Sequence, residues 1–308
     1  MNFQLIRKQI ETHGRLSYEI FRKCQKLGFL YLYHKYIVYK RRKAGVYGDA
    51  FLNFFKQNED MFNKVYSLLE DEKSRQVYKN IVKFRYTGDI KLINDVKTMP
   101  AYFVHEIMHI AEHEVFVDGG AYLGETSLDF VDWYKKETKR QIRHMSNVTP
   151  PEYHIYLWEP DITNRSLIDR NLKGIENYTI LPYGMWDKHE KILFTSTLGG
   201  DDSRIQDNVI LPVNGETNSI ETESVDNLLI DKSVTFIKMD IEGAEIKALY
   251  GAKKTICQQK PKLAISIYHQ YDHLYRIPLL IKEWVPDYKI YIRHHSDLHV
   301  DTIMYAIP

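Results

Sequence analysis

The sequence predicts an α/β fold: a mostly parallel seven-stranded sheet with an antiparallel edge at its carboxyl end, preceded by an α-helical amino-terminal region. Three observations predict it. From Glu114 onward, short apolar runs alternate with helix-like stretches, the pattern of strands joined by crossover helices. The runs are continuously apolar rather than strictly alternating, as expected of strands covered on both faces. The last two runs follow one another as a pair, which suggests an antiparallel edge.

The elements follow in order. From Tyr47 to Val96, Phe51, Phe54, Phe55, Phe62, Val65, Tyr66 and Leu69 recur at three- and four-residue spacing, placing them on one helical face. A second stripe runs Val77, Tyr78, Ile81 and Phe84, and Tyr86-Thr87-Gly88-Asp89 reads as its stop. Strands are expected at 114–118, 154–159, 178–181, 234–240, 262–269, 288–294 and 302–306, with an extra extended piece at 191–196. Helices are expected near 123–133, 165–172, 245–251 and 277–284. The 308 residues suit about two domains and divide into a helical region, 1–98, and an α/β region, 99–308.

Hydrophobic residues make up 44% of the chain, enough for a substantial core, and charged residues 27%. The net charge is +1, but residues 1–43 carry eleven Lys and Arg against two Glu, so the remainder is acidic. This basic arm, interleaved with Phe21, Phe29, Tyr31, Tyr33 and Tyr36, is read either as a solvated helical arm or as a contact with an anionic membrane surface or partner. No nucleic-acid partner is expected. Cys24 and Cys257 are the only cysteines, which suggests no disulfide framework and a reducing compartment. Arg7, Lys8 and Glu11 interrupt any signal-peptide core, and the apolar stretch 27–39 is too short and polar to span a bilayer. The expectation is a cytoplasmic protein, with the arm as the means of any peripheral contact with the inner membrane.

In open parallel sheets, ligands bind beyond the carboxyl ends of the strands. The first strand ends in Asp118-Gly119-Gly120-Ala121-Tyr122-Leu123-Gly124-Glu125-Thr126, whose glycines allow a tight turn and close backbone approach. The turn is led by an acid and lacks the G-x-G-x-x-G spacing, which favours the cationic S-adenosylmethionine over NAD. After the second strand, the carboxylate of Glu159 could accept both ribose hydroxyls. The fourth main strand exits into Asp240, Glu242 and Glu245; these acids could face a sulfonium, hold a cation or orient an acceptor hydroxyl, and Glu245 also fits an acid at a helix amino terminus. His269 ends the fifth strand on the same sheet edge.

One competing motif stands upstream. His105-Glu106-Ile107-Met108-His109 matches H-E-x-x-H, the zinc-peptidase pattern. The strand at Glu114 follows almost at once, and the third-ligand register is absent, with Glu112 and Val115 where the longer motif needs Gly and His. His105, His109 and His113 are therefore read as a partly exposed helix face.

The segments DGGAYLGET, LWEPD, LPYGMWDK, IKMDIEGAEIKALYGA and AISIYHQYDHLYRIP, in this order, resemble the FkbM family of S-adenosylmethionine-dependent methyltransferases over about residues 102–308. The resemblance implies a Rossmann-like methyltransferase fold and O-methylation of a sugar, a glycan precursor of a surface polysaccharide, or a related natural product. Carried over by position, it places Asp118, Gly119, Gly120, Ala121, Gly124 and Thr126 at the methionine part of the donor, Glu159 at the ribose, and Gly184, Trp186 and Asp187 near the adenine. Asp240, Glu242 and His269 face the acceptor. Either Asp240 or His269 serves as base, or the two hold a divalent cation if one is used; the sequence leaves both open. Two other classes remain at this level: an NAD-dependent oxidoreductase on a Rossmann-type fold, and a non-catalytic partner protein on the methyltransferase fold.

Overall fold

A computed structural model describes residues 47–142, 152–195, 204–205, 217–296 and 300–308, together with positions 38, 39 and 43. Most of the basic arm, and Cys24 with it, lies outside the described residues; Cys257 is a free thiol.

The amino-terminal elements are α1 (Asp49–Gln57), α2 (Glu59–Leu68), α3 (Glu72–Thr87) and α4 (Lys91–Asn94). The predicted stripe is buried at Phe51, Phe62, Val65 and Leu69, while Tyr66 stays outside it. α3 has both ends specified. The carboxylate of Asp71 accepts the amide of Ser74 at 2.7 Å, and Gly88, left-handed at φ 68°, closes the last turn onto the carbonyl of Phe84.

The sheet that follows runs β1 (His113–Gly119), β2 (Glu152–Trp158), β3 (Tyr178–Leu181), β8 (Phe236–Met239), β9 (Lys262–Ser266), β10 (Lys289–His294) and β11 (Thr302–Ile307). Its order is β10-β11-β9-β8-β1-β2-β3; the pairs joining β9, β8, β1, β2 and β3 are parallel, and β11 is antiparallel to both neighbours. This is the predicted mostly parallel seven-stranded sheet with its antiparallel edge. A second sheet, unexpected as such, joins β4 (Gly184–Met185), β5 (Glu190–Thr195), β6 (Arg204–Ile205) and β7 (Thr217–Glu223) in the order β4-β7-β5-β6. The extended piece expected at 191–196 is one strand of it.

Crossover helices α5 (Glu125–Ile142), α6 (Ile162–Asn171), α7 (Val225–Leu228), α8 (Glu245–Gly251), α9 (Lys253–Gln259) and α10 (His273–Trp284) cover the main sheet. Successive strand residues feed opposite faces. Phe116, Phe236, Ala264 and Tyr305 face a core with Phe103, Phe130 and Trp133. Val117, Ile237, Leu263 and Ala306 face one that also contains Phe51, Phe62, Val65 and Tyr78. Each such aromatic contributes about 1.5–3 kcal/mol by leaving water. The helical region and the sheet therefore share a core. Polar contacts reinforce the join: Arg293 of β10, 1% exposed, pairs with Asp71 at 2.6 Å, and Tyr78 donates to the carbonyl of Leu274 at 3.1 Å.

The stretch carrying H-E-x-x-H is not helical, which corrects that expectation. A turn at 105–107 leads into extended chain that enters β1. Val104, Ile107, Met108 and Ile110 anchor this chain in the core, leaving His105 and His109 exposed on irregular backbone and His113 exposed at the first residue of β1. The groups that could hold a metal ion among the described residues do not include them.

Candidate functional site

The parallel strands deliver their carboxyl ends to one edge, and there the predicted residues meet. β1 ends in the glycine turn. A Cβ on Gly120, at φ 73°, would stand 2.1 Å from the carbonyl oxygen of Asp240, so only glycine lets the two turns approach. The amide of Asp240 donates to the carbonyl of Gly119 at 3.1 Å, and the amide of Ala121 to that of Trp158 at 3.1 Å. Gly124 is likewise left-handed, at φ 81°. Thr126 lies half-buried in the first turn of α5.

Asp118 departs from the electrostatic expectation. It is fully buried; one oxygen lies 2.9 Å from Nζ of Lys238, and the other accepts the hydroxyl of Ser127 at 2.8 Å. Lys238 also donates to the carbonyls of Gly119 and Gly120, each at 3.1 Å. The carboxylate is thus spent on holding the turn, because an unpaired charge at zero exposure would be too costly. The turn itself, not a free negative charge, is what Asp118 offers a ligand.

Glu159, at the end of β2, is 6% exposed and accepts the amide of Tyr122 at 2.9 Å, the amide of Asp161 at 2.9 Å and the side chain of Asn164 at 3.2 Å. Burial outweighs these donors and pushes its carboxyl up to about 7. Glu159 and the glycine turn are therefore one hydrogen-bonded unit. Gly184 and Trp186 are buried in the adjoining wall: the side chain of Met185 covers Gly119, and the indole of Trp186 donates to Glu190 at 2.7 Å. Asp187 is half-buried, 3.5 Å from Nζ of Lys247.

Across the Gly120 contact lies a second cluster. Asp240 accepts the hydroxyls of Tyr102 at 2.7 Å and Tyr268 at 2.9 Å. Burial, reinforced by Asp240, holds both phenols well above their ordinary range, so they remain donors. Nδ1 of His269 lies 2.9 Å from Glu245, and Nε2 lies 3.5 Å from both Asp240 and Glu242. Burial alone would lower the basicity of this imidazole; the surrounding carboxylates, Glu245 foremost, raise it to about 9. Burial likewise works to raise the carboxyl of Glu245, but His269 and His273 hold it well below the usual range. Glu245 opens α8, as expected of an acid at a helix amino terminus, and it is fully buried there. Asp301 adjoins the cluster; burial, then Asp240, pushes it up to about 6.

Among the described residues, five non-glycine residues have left-handed backbone, and Tyr102, Tyr122, Glu242 and Asp301 are four of them. Such conformations cost free energy and collect where a site over-determines the chain. The sequence reading missed Tyr102, Tyr268, Lys238 and the buried role of Glu245. Lys238 carried a signal, since a lysine inside an apolar strand needs a partner. Tyr102 carried none; it lies 138 residues from Asp240.

Sheet order, the antiparallel β11 and the glycine turn abutting Asp240 define a methyltransferase-type α/β domain. The Methyltransferase FkbM domain family matches residues 118–304, more than half of the chain, and the chain belongs to that family. It is similar to a solved structure of methyltransferase FkbM from Methylobacillus flagellatus KT, with 25% identity and a TM-score of 0.65, over 82% of this chain and 60% of that one. This chain thus spans less than two thirds of that protein's length. More distant are an rRNA methylase from Streptococcus thermophilus, 11% identical over 66% of this chain and 90% of that one (TM-score 0.36), and precorrin-6y C5,15-methyltransferase from Geobacter metallireducens GS-15, 11% identical over 70% and 95% (TM-score 0.36). A comparison with the curated proteins found no match.

Proposed function

We propose that the protein transfers the methyl group of S-adenosylmethionine to a hydroxyl of a sugar, a glycan precursor of a surface polysaccharide, or a related natural product. The observation that carries this reading is the contact between Gly120 and the carbonyl of Asp240, which sets a donor half, Gly119–Gly124 with Glu159, beside an acceptor half, Asp240 with His269. The carboxylate of Glu159 suits the ribose hydroxyls, and the close backbone approach that the glycine turn allows suits the methionine end. In the reaction a C–O bond forms as the S–CH3 bond breaks in line, S-adenosylhomocysteine leaves, and the hydroxyl proton passes to a base. Positioning supplies most of the acceleration in such a displacement.

The ionisation of His269 refines the acceptor-side roles. A charged imidazole at neutral pH donates rather than accepts, so Asp240 is the better proton acceptor, with His269 and Glu242 orienting the hydroxyl. A divalent cation at Asp240 and His269 is the second reading of this half, favoured by the excess of carboxylates around one imidazole. The enzyme is placed in the cytoplasm, with no nucleic-acid partner. Among the described residues no helix is long and apolar enough to cross a membrane. The basic arm is proposed to draw the enzyme toward a membrane surface or glycan-assembly partners; deleting residues 1–43 and finding membrane partition unchanged removes that idea.

Calorimetric titration with S-adenosylmethionine, S-adenosylhomocysteine and NAD tests the central reading. Saturable binding of the first two and none of NAD is expected; NAD binding alone would replace it with an oxidoreductase, and binding of none with a non-catalytic partner. Mass spectrometry of surface glycans from cells with and without the protein then identifies the acceptor by a mass difference of a single methyl group.

A further inference from the structure

One buried ring nitrogen faces the carboxylates without a close partner: Nε2 of His269 lies 3.5 Å from both Asp240 and Glu242, whereas Nδ1 of His269 and Nδ1 of His273 lie 2.9 and 3.3 Å from the two oxygens of Glu245. The side chain of His269 is 9% exposed, so bulk water does not satisfy Nε2. Buried polar groups are ordinarily satisfied, and an exception aimed into a cluster of donor atoms calls for a ligand. Asp240, Glu245 and His269 each offer one donor atom, and the three lie within 4.8 Å of one another. That span is roughly twice a metal–ligand bond of about 2.1–2.3 Å.

We infer that Asp240, Glu245 and His269 form the binding site of a divalent cation that accepts both carboxylate and imidazole ligands, of the Mn2+ or Zn2+ kind. Two carboxylates and one imidazole match such ions. Each residue reaches the site from a different piece of backbone: Asp240 from the exit of β8, Glu245 from the start of α8, His269 from the loop after β9. The ligands are held as metal ligands need to be. Oε1 of Glu245 accepts the amide of Ile241 at 3.0 Å, and Tyr102 and Tyr268 fix both oxygens of Asp240. Glu242, with Oε2 3.5 Å from Nε2 of His269 and its side chain 42% exposed, is placed to close the open side of the ion or to leave it for an acceptor hydroxyl. The cation would polarise that hydroxyl beside the donor half. Only this last step rests on the methyl-transfer reading, because the ion's binding is measured with neither donor nor acceptor present.

The test uses the full chain, stripped with chelator and titrated with Mn2+, followed by calorimetry and by electron paramagnetic resonance. A single saturable Mn2+ per chain is expected, with echo modulation from an imidazole nitrogen. Asp240→Asn and Glu245→Gln weaken it by at least about tenfold, and His269→Gln also removes the nitrogen modulation. Glu245 is buried, so Glu245→Gln could disturb folding; Asp240→Asn, at a side chain 23% exposed, carries the test if the urea midpoint of the other variant moves. No saturable binding up to about 1 mM, binding that all three variants retain, or a bound ion without imidazole nitrogen overturns the inference. Failure here leaves S-adenosylmethionine binding, measured separately, untouched.

Discussion

Replacing Lys238 with methionine removes a charge that has no route to water: the two side chains of the Lys238–Asp118 pair are 3% and 0% exposed. At 2.9 Å the gross attraction is on the order of 6 kcal/mol at an effective dielectric of about 20. Most of it offsets the desolvation of the two ions. What the variant loses is therefore set by the carboxylate left behind, and breaking a buried pair from one side costs about 3–5 kcal/mol. Lys238→Met also abandons the carbonyls of Gly119 and Gly120, so the glycine turn should loosen and S-adenosylhomocysteine affinity should fall. Urea unfolding of Lys238→Met, Asp118→Asn and the double variant reads the first effect, and calorimetry the second. The double variant should be less destabilised than the sum of the single ones by about 1–3 kcal/mol. A loss below about 1 kcal/mol for Lys238→Met, or additivity within about 0.5 kcal/mol, refutes the claim that Asp118 exists to be paired.

Lys262→Met is the matched control. It strands Glu114, whose carboxylate oxygens lie 2.8 and 2.9 Å from Nζ of Lys262, near the amino end of β1 and away from the glycine turn. Stability should fall by about 3 kcal/mol, while S-adenosylhomocysteine affinity stays within twofold or so; a matching loss of affinity would mean that the Lys238 effect is not local. For Glu159, burial raises the carboxyl to about 7, and ribose hydroxyls would bind its ionised form. Donor affinity should then drop as pH falls through that value, by roughly tenfold between about pH 8 and pH 6. In the donor-free protein the sign for stability is the opposite: the raised carboxyl favours the fold below its ordinary range near 4.5, and that advantage disappears as pH rises through about 7. A flat affinity profile, or one unchanged in Glu159→Gln, removes the ribose role. Gly120→Ala would put a methyl 2.1 Å from the carbonyl of Asp240, with left-handed backbone costing about 1–2 kcal/mol in addition. S-adenosylhomocysteine binding should be abolished in a protein that still unfolds cooperatively; retained binding would show that the two turns need not touch.

The main sheet was legible because its strands are short apolar runs with chemistry at their exits. Asp118, Glu159 and Asp240 stood out as polar residues closing such runs, and sheet topology gathers them on one edge. Glu245 was legible as an acid at a helix start, which it is, but only the fold shows that His269 and His273 enclose it. The second sheet was only partly legible: β5 and β7 pair strand to strand across a stretch with weak apolar signal. The three histidines failed as a helix face because the apolar residues among them, Val104, Ile107 and Met108, are claimed by the core of the sheet, overriding the local periodicity. Tyr102 could not be found at all, since nothing local distinguishes a tyrosine whose partner lies 138 residues further along the chain.

Arg85 of α3, 1% exposed, donates to the backbone carbonyl of Tyr268 at 2.7 Å, and Phe51 and Phe54 press their rings on Tyr271 at 5.1 and 5.4 Å. The loop bearing His269 is therefore braced from behind by helices that precede the family-matched residues 118–304. A shortened gene begun at that boundary would discard the brace, the phenol of Tyr102 and part of the apolar cover of one sheet face. Such a fragment should be recovered as insoluble or inactive material even though every residue of the family match is present, so expression trials, crystal screens and chimaeras with relatives should carry the helical layer along with the sheet.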